Sequence, residues 1–329
     1  MTVTIKDIAK HVGVSHSTVS RALNGCKEVN IETREKIVKA AEELNYIPNI
    51  NARSLKLAKA YTIGVFFSTI DKGTSAFVFQ NVINSVYDSI DKRYNVTVKG
   101  IDTYEKNTIN PKNYDGIVVV SQKEEDDVFI EEILAKKIPM VVINREVNYD
   151  VVNIFTNEIV ATENAVEELI INGHKNIGII EGKEGFLSTK LRRAGYMSAF
   201  NKFNIEINND YVTNGDFTVR GGYFAAKNII EKDITAIFAF NDEMAVGAIK
   251  AIRETGLNVP EDISILGFDG TEIGEFLTPS IATIRRPVDR IAKIATELLI
   301  KLINNEEISK KKVYLESHLV IGNSIRKLI

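Results

Sequence analysis

The sequence predicts an α/β protein in two parts: an all-α helix-turn-helix headpiece, then a body of doubly wound parallel sheets. Three observations predict it. From Thr4 to Leu44 apolar residues recur at helical spacing. From Tyr61 onward, short and almost continuously apolar runs alternate with helical stretches, the pattern of parallel strands buried on both faces and joined by helices. The length, 329 residues, allows two or three domains and exceeds one doubly wound domain.

Composition narrows the class. Apolar residues make up 44% and charged residues 26%, enough to build large cores in a globular chain. No apolar run reaches the roughly 18 residues of a membrane helix, and Met1–Asp7 lacks the apolar stretch of a signal peptide. The single cysteine, Cys26, excludes an internal disulfide framework and fits a reducing compartment, so a cytoplasmic location without membrane contact is expected. The net charge of -3 is unevenly spread. Residues 1–60 hold ten Lys/Arg against six Asp/Glu, whereas residues 61–329 hold 31 against 38. A basic end on an acidic body is the asymmetry expected when only one end meets phosphate.

In the headpiece, Thr4 stands as an N-cap with Asp7 three residues on, in capping-box position. Ile5, Ile8, Ala9 and Val12 then share one face, and Gly13 ends the helix. Ser15 caps a second short helix in which Val19, Ala22 and Leu23 face inward, and Asn24-Gly25 stops it. A third helix begins near Ile31-Glu32 and carries Ile37, Ala40, Ala41 and Leu44 on one face. Two short helices around the tight turn at Gly13-Val14 form a helix-turn-helix with the second helix as reading element. Its outward residues, His16, Ser17, Thr18, Ser20 and Arg21, are polar. A helix lying in the major groove needs that set: Arg21 can fork onto a guanine edge or clamp a phosphate, and His16 and Ser17 sit near the helix start, facing base edges. A three-helix bundle with a merely solvated face is the alternative. Pro48 then separates off residues 49–58, a stretch with few apolar residues and too short for a stable isolated helix. It is expected either to order on DNA or a partner chain, or to serve as a plain linker.

The strand-like runs of the body include Thr62–Phe67, Gly116–Val120, Met140–Ile143, Asn176–Ile180, Thr235–Phe240 and Ile263–Phe268. The helical stretches include Ala76–Ile90, Ala161–Asn172, Leu191–Phe203, Gly221–Ile230 and Asp242–Thr255. Two tandem lobes with a cleft at their strand C-termini make a natural small-molecule site. Polar residues fall at those strand ends: Asn144-Arg145, Asn241-Asp242 and Asp269. Amides and carboxylates suit a polyhydroxylated ligand, because each hydroxyl both donates and accepts; helix capping is the competing role of Asn241. Residues 101–113 are short, polar and interrupted by Pro111, so the crossover helix there is expected to be reduced or absent, with the ligand contacts that side would supply. No phosphate-binding glycine loop, zinc-type His/Cys spacing or nucleophile elbow is present, so neither an enzyme nor a cofactor or metal site is expected. His174, in the turn Asn172-Gly173-His174-Lys175, reads as structural.

Several runs resemble the lactose/galactose repressor family. In the headpiece they are Thr4-Ile5-Lys6-Asp7-Ile8-Ala9, the stretch from Gly13-Val14-Ser15 through Ser17-Thr18-Val19-Ser20-Arg21 to Leu23-Asn24, and Tyr46, Pro48-Asn49, Ala52-Arg53 and Leu55. In the body they are Leu191–Tyr196, Asn241-Asp242 with Met244-Ala245 and Gly247, Val259-Pro260 through Asp269, and Leu277–Ile284. The resemblance implies a homodimer on a pseudo-palindromic operator in double-stranded DNA, with Thr4, Ser15, His16, Ser17, Thr18, Arg21, Asn24, Asn49, Ala52 and Leu55 at the contact. His16, Ser17 and Arg21 match its major-groove reading positions, and Leu55 matches a leucine wedge inserted into the minor groove from a hinge helix.

The same resemblance implies a periplasmic-binding-protein-like body that holds a small effector between its lobes. The implied organisation is a headpiece at 1–46, a hinge at 47–60 and a body at 61–329. Lobe 1 would comprise about 61–160 with 290–318, and lobe 2 about 161–289 with 319–329. Asn144, Arg192, Phe217, Asn241, Asp242 and Asp269 are the implied effector residues: Arg192 clamping hydroxyls or a carboxylate, Phe217 stacking on a sugar face, Asn241 and Asp269 bonding hydroxyls. One departure is Asp269-Gly270, where the family often has two aspartates. Pro287 opens a helix whose stripe Ile291, Ile294, Ala295, Leu298 and Leu302 is a core face first and a subunit face second; no heptad tail follows, so a dimer is expected rather than a tetramer. The expected function is a sequence-specific transcription regulator, a repressor, controlled by a sugar. A purine or other metabolite as effector, or a solute-binding protein without regulatory role, is the alternative.

Overall fold

The computed structural model describes residues 3–23, 28–44, 46, 59–70 and 73–328. It divides at Lys59/Ala60 into a headpiece unit and a body unit.

The headpiece contains α1 (Ile5–Val12), α2 (His16–Leu23) and α3 (Ile31–Glu43). The Asp7 carboxylate accepts from the Thr4 N–H at 2.8 Å and the Thr4 hydroxyl at 2.7 Å, which closes the start of α1. These bonds hold the Asp7 carboxyl below its ordinary pKa. Gly13 ends α1 at φ 73, a left-handed conformation that a side chain would oppose. Ser15 Oγ accepts from the Thr18 N–H at 3.1 Å at the start of α2. Ile8, Val19, Ala22, Ile37 and Ala40 pack into a small closed core. Replacing Ser15 with Ala leaves an α2 amide without its cap, a loss of about 0.5–2 kcal/mol. Hydrogen exchange of the α2 amides should therefore quicken by several-fold while α3 amides follow only global opening.

In the body, the first sheet has the strand order β11-β5-β4-β3-β1-β2, every recorded pairing parallel. Its strands are β1 (Thr62–Phe67), β2 (Asn95–Gly100), β3 (Gly116–Val120), β4 (Met140–Asn144), β5 (Val152–Phe155) and the late β11 (Lys312–Tyr314). Helices α4 (Ala76–Ser89) and α5 (Asp127–Ala135) belong to this lobe. The second sheet runs β12-β10-β9-β8-β6-β7. It is built from β6 (Ile177–Glu181), β7 (Val212–Asn214), β8 (Ala236–Ala239), β9 (Ser264–Asp269), β10 (Ala282–Arg285) and β12 (His318–Val320). Edge strand β12 lies antiparallel to β10, a departure from the all-parallel expectation, because the chain returns to this lobe by a short link after β11.

Helices α6 (Glu158–Ile171), α7 (Leu187–Lys202), α8 (Val219–Lys227), α9 (Asp242–Glu254) and α10 (Glu272–Phe276) belong to the second lobe, while α11 (Val288–Ile303) packs on α4, β3, β4 and β5. The chain thus passes between lobes three times, at 156–157, 286–287 and 315–317. Each sheet is wrapped by its own apolar core, as continuous Val/Ile/Phe strands require. Between β2 and β3 only a single 3-10 turn, Pro111–Asn113, stands where a crossover helix would lie. Ile109 and Tyr114 plug that face of the sheet instead.

Six strands, β2, β5, β7, β10, β11 and β12, and helices α5 and α10 lie outside the sequence runs above. Asn95–Gly100 is a half-exposed edge with polar alternation, and the other five strands are only 3 or 4 residues long. His174 is buried and joined by its ring nitrogens to the Thr235 hydroxyl and the Arg326 carbonyl, each at 3.0 Å, so it ties the C-terminal segment to lobe 2. Among the described residues no helix is long and apolar enough to cross a membrane.

Candidate functional site

The residues singled out from the sequence fall on two surfaces. On the headpiece, α2 buries Val19 and Ala22 and leaves His16, Ser17 and Arg21 exposed, with Thr18 half-buried. The Ser15 hydroxyl also bonds those of Ser17 at 2.7 Å and Thr18 at 2.8 Å, so the start of the helix is a preset cluster of hydroxyls. The Arg21 guanidinium lies 3.6 Å from Glu28, and both side chains are largely exposed. An ion pair of that kind contributes little and yields readily to a phosphate or a base edge. Thr4 is committed to the α1 cap, with its backbone at the mouth of that helix. Asn24, Asn49, Ala52 and Leu55 lie outside the described residues, as do Cys26 and most of the hinge.

In the body, the cleft lies between the C-terminal ends of the strands of both lobes, where open α/β sheets hold ligands. The cavity left there has a volume of about 40 Å³. Ser75, Ser121, Gln122, Asn144 and Arg145 line it from lobe 1, and Glu158, Leu191, Arg192, Phe217 and Asp269 from lobe 2. Arg286, on the second interlobe passage, completes it. The two lobes touch around this space. The Leu187 N–H donates to the Gln122 carbonyl at 2.9 Å, and the Ala76 N–H to Glu243 Oε1 at 3.1 Å.

At the base of the cleft, buried charges interlock. Arg192 Nε donates to Glu158 Oε2 at 2.9 Å, a second Arg192 N–H reaches the Phe240 carbonyl, and the guanidinium stacks 3.6 Å over the Phe268 ring. Asp269 Oδ1 lies 3.8 Å from Arg192 and 3.4 Å from Arg286. Arg286 also approaches Glu158 at 3.5 Å and donates to Asn144 Oδ1 at 3.2 Å. Burial pushes the Glu158 carboxyl up, but the charges of Arg192 and Arg286 outweigh it and hold its pKa below the ordinary value. For Asp269 burial prevails over the same two cations and raises the pKa.

Asn144, Arg192, Phe217 and Asp269 therefore meet in one cleft, and Asn241 and Asp242 do not line it. Asn241 caps α9 by accepting from the Met244 N–H at 2.9 Å and donates to the Phe217 carbonyl at 3.0 Å, so it positions Phe217 from behind. Asp242 is fully buried inside lobe 2 and accepts from the Thr271 N–H at 2.7 Å, the Thr271 hydroxyl at 3.0 Å and the Thr283 hydroxyl at 2.6 Å. Burial pushes its pKa up to about 7 in spite of those bonds. In this structure internal partners engage the polar groups of both, and both stand apart from the expected effector residues that line the cleft. Arg192 lines the cleft with two of its donor groups already engaged, and Phe217, at φ 68 and 6% exposed, presents little more than an edge beside Phe186.

Glu158 and Arg286 are absent from the expected set. The pair Arg285-Arg286 before a helix-opening Pro287 was a visible signal for a strand-end cation; Glu158 had none. The Asp269-Gly270 departure also has a local cause. Gly270 sits at φ 75, and a Cβ there would lie 2.7 Å from Arg285 Cβ. Among the described residues no group of three or more His, Cys, Asp and Glu could hold a metal ion.

Comparison with known proteins agrees with both halves. Residues 4–49 match the family described as bacterial regulatory proteins, lacI family, and residues 166–325 match the periplasmic binding protein-like domain. The chain is 41% identical over 330 aligned positions to a probable HTH-type transcriptional repressor, ExuR, of Bacillus subtilis (strain 168), covering 99% of each chain. It is 32% identical to the ribose operon repressor of Haemophilus influenzae, again over 99% of each. Its structure superposes with TM-score 0.82 on the Lac repressor dimer bound to operator and the anti-inducer ONPF, at 26% identity over 99% of this chain and 100% of that one. With a full-length repressor relative, a matched headpiece and a matched body, the chain belongs to the lacI family of bacterial regulatory proteins.

Proposed function

We propose that this regulator binds a pseudo-palindromic operator as a homodimer and that a polyhydroxylated small molecule, a sugar, held between its lobes sets the affinity for that operator. The observation that carries the DNA half is the outward face of α2, where His16, Ser17 and Arg21 stand exposed above a helix whose other face is core. The solved relative named above is a dimer on operator DNA, and the ribose operon repressor carries a sugar in its name.

The cleft supports the effector half. It is lined by hydroxyls, amides and guanidinium groups from both lobes, so a ligand that bonds to both favours one lobe arrangement over another. Linkage then requires operator affinity to change by the ratio of ligand affinities in the two arrangements. At the head of the body, Asp115 accepts from the N–H groups of Ala60 and Tyr61 at 2.8 and 2.7 Å, so the chain leaving residue 59 starts from a fixed point on lobe 1.

The test is selection of bound duplexes from a random pool by the full-length protein, followed by titration with sugars and nucleobases. Two-fold symmetric sites and an operator affinity that one sugar changes at least tenfold are expected, with sedimentation reporting a dimer. Asymmetric or absent sites would overturn the DNA half. Symmetric sites insensitive to every compound would overturn the effector half.

A further inference from the structure

We propose that Phe186 is the clasp of the body: its ring, carried by lobe 2 and seated against lobe 1, holds the lobes together over the cleft and withdraws when they part. This rests on the reading of the cleft as an effector site and adds the side chain that controls its opening. In this arrangement the lobes stand close. The cleft's 40 Å³ has room for about three waters, each needing roughly 10–15 Å³. A sugar ring is far larger, so the lobes must part to admit one.

Phe186 lies on the seam. It is the residue before α7, fully buried, and its ring packs edge-on against Phe217 at 6.1 Å in the core of lobe 2. The tip of the ring reaches lobe 1. A Cβ added at Gly73 would overlap that tip, so the ring rests on backbone that glycine leaves bare. The Lys123 ammonium, also of lobe 1, sits 5.0 Å from the ring centroid, within reach of its π face. The next residue, Leu187, donates its N–H to the Gln122 carbonyl of lobe 1 at 2.9 Å. Gly73 and Leu187 both line the cleft, so the ring stands where the two lobes meet at its edge.

Parting the lobes strips Phe186 of Gly73 and Lys123 and brings the ring tip into water. Exposed apolar surface has no replacement partner there, whereas water takes over for a polar contact that is broken. The Glu243 bond to the Ala76 N–H and the exposed Lys190–Glu124 pair at 3.5 Å are of that replaceable kind. Phe186 is thus a positioning residue. It sets how often the lobes separate, and through linkage how readily an effector enters.

The experiment is hydrogen exchange on the full-length protein, resolved to single amides by mass spectrometry. Two amides bond across the seam, Leu187 to lobe 1 and Ala76 to lobe 2, and each substitution is read at the amide of the opposite lobe. Phe186→Ala should quicken exchange at Ala76 about tenfold, and Phe186→Leu should fall between it and the native protein. Gly73→Ala leaves the core of lobe 2 intact and pushes the ring off lobe 1, so it should quicken Leu187 by about the same factor. The core amides of Val118 in β3 and Ile179 in β6 should keep their native rates. Should Phe186→Ala loosen lobe 2 as a whole, Ile179 would quicken with it, and Gly73→Ala alone then decides. The proposal is overturned if Phe186→Ala quickens Leu187 beside it but not Ala76, or if Gly73→Ala leaves Leu187 at its native rate. Operator affinity of the same variants, with no compound added, tests the reading beneath. If the seam amides quicken while operator affinity stays within about twofold, the clasp stands and control of the operator by lobe movement falls.

Discussion

Replacing Arg192 with Ala is expected to destabilise the body by about 3–5 kcal/mol, the range for breaking a buried ion pair from one side. Glu158 and Asp269 are both buried, and Arg192 is the cation that bonds Glu158 at normal length. Its removal leaves two carboxylates to the more distant Arg286. Urea unfolding at pH 7 measures the loss. The pH dependence separates charge from packing. In the native protein the Glu158 pKa lies below the ordinary value, so its contribution is full above about pH 4.5 and is lost as pH falls through the native pKa. In the variant that pKa should rise above the unfolded value. The folded state then binds more protons than the unfolded one, and stability rises as pH falls from 7 toward 5. The gap between variant and native protein should therefore narrow in acid. A gap constant with pH would assign the loss to the stacking of Arg192 on Phe268 rather than to charge.

Arg21→Ala is expected to weaken specific operator binding by about 1–3 kcal/mol, five- to 150-fold, and to relax preference at one base pair of each half-site. The side chain is exposed and its partner Glu28 lies at 3.6 Å, so the headpiece itself should lose little stability. Binding measured across operator variants and salt concentrations decides the role. Loss confined to the cognate base pair identifies a base contact. Loss uniform across sequences, with a shallower salt dependence, identifies a phosphate contact instead. Unchanged affinity would remove Arg21 from the interface.

The headpiece was legible in the sequence because everything that builds it is local. Caps at Thr4 and Ser15, the stop at Gly13 and the inward stripe of Ile8, Val19 and Ile37 follow from spacing within a few residues. The long apolar strands were legible for the same reason, and so was the missing helix before Tyr114, since Pro111 and the polar run around it forbid one. Edge strands β2 and β7 were not, because a half-exposed or three-residue strand has no period to read.

The cleft divides differently. Asn144 and Asp269 could be found as polar residues ending apolar strands, and the Arg192 and Phe217 positions came through the family resemblance. By itself the sequence determined the fold class, the polar reading face of α2 and the place of strand ends, all consequences of periodicity and chain direction. Tertiary structure decided which polar groups are spent and which are spare. Asn241 and Asp242 look as available as Asp269 in the sequence, yet partners from residues up to 41 positions away occupy them. Arg286 follows a strand end in the sequence, but only the packed lobes bring Glu158, Asp269 and Asn144 around it and leave its Nε buried without a partner. Hydrogen-bond satisfaction depends on neighbours in space, and only the packed lobes supply them.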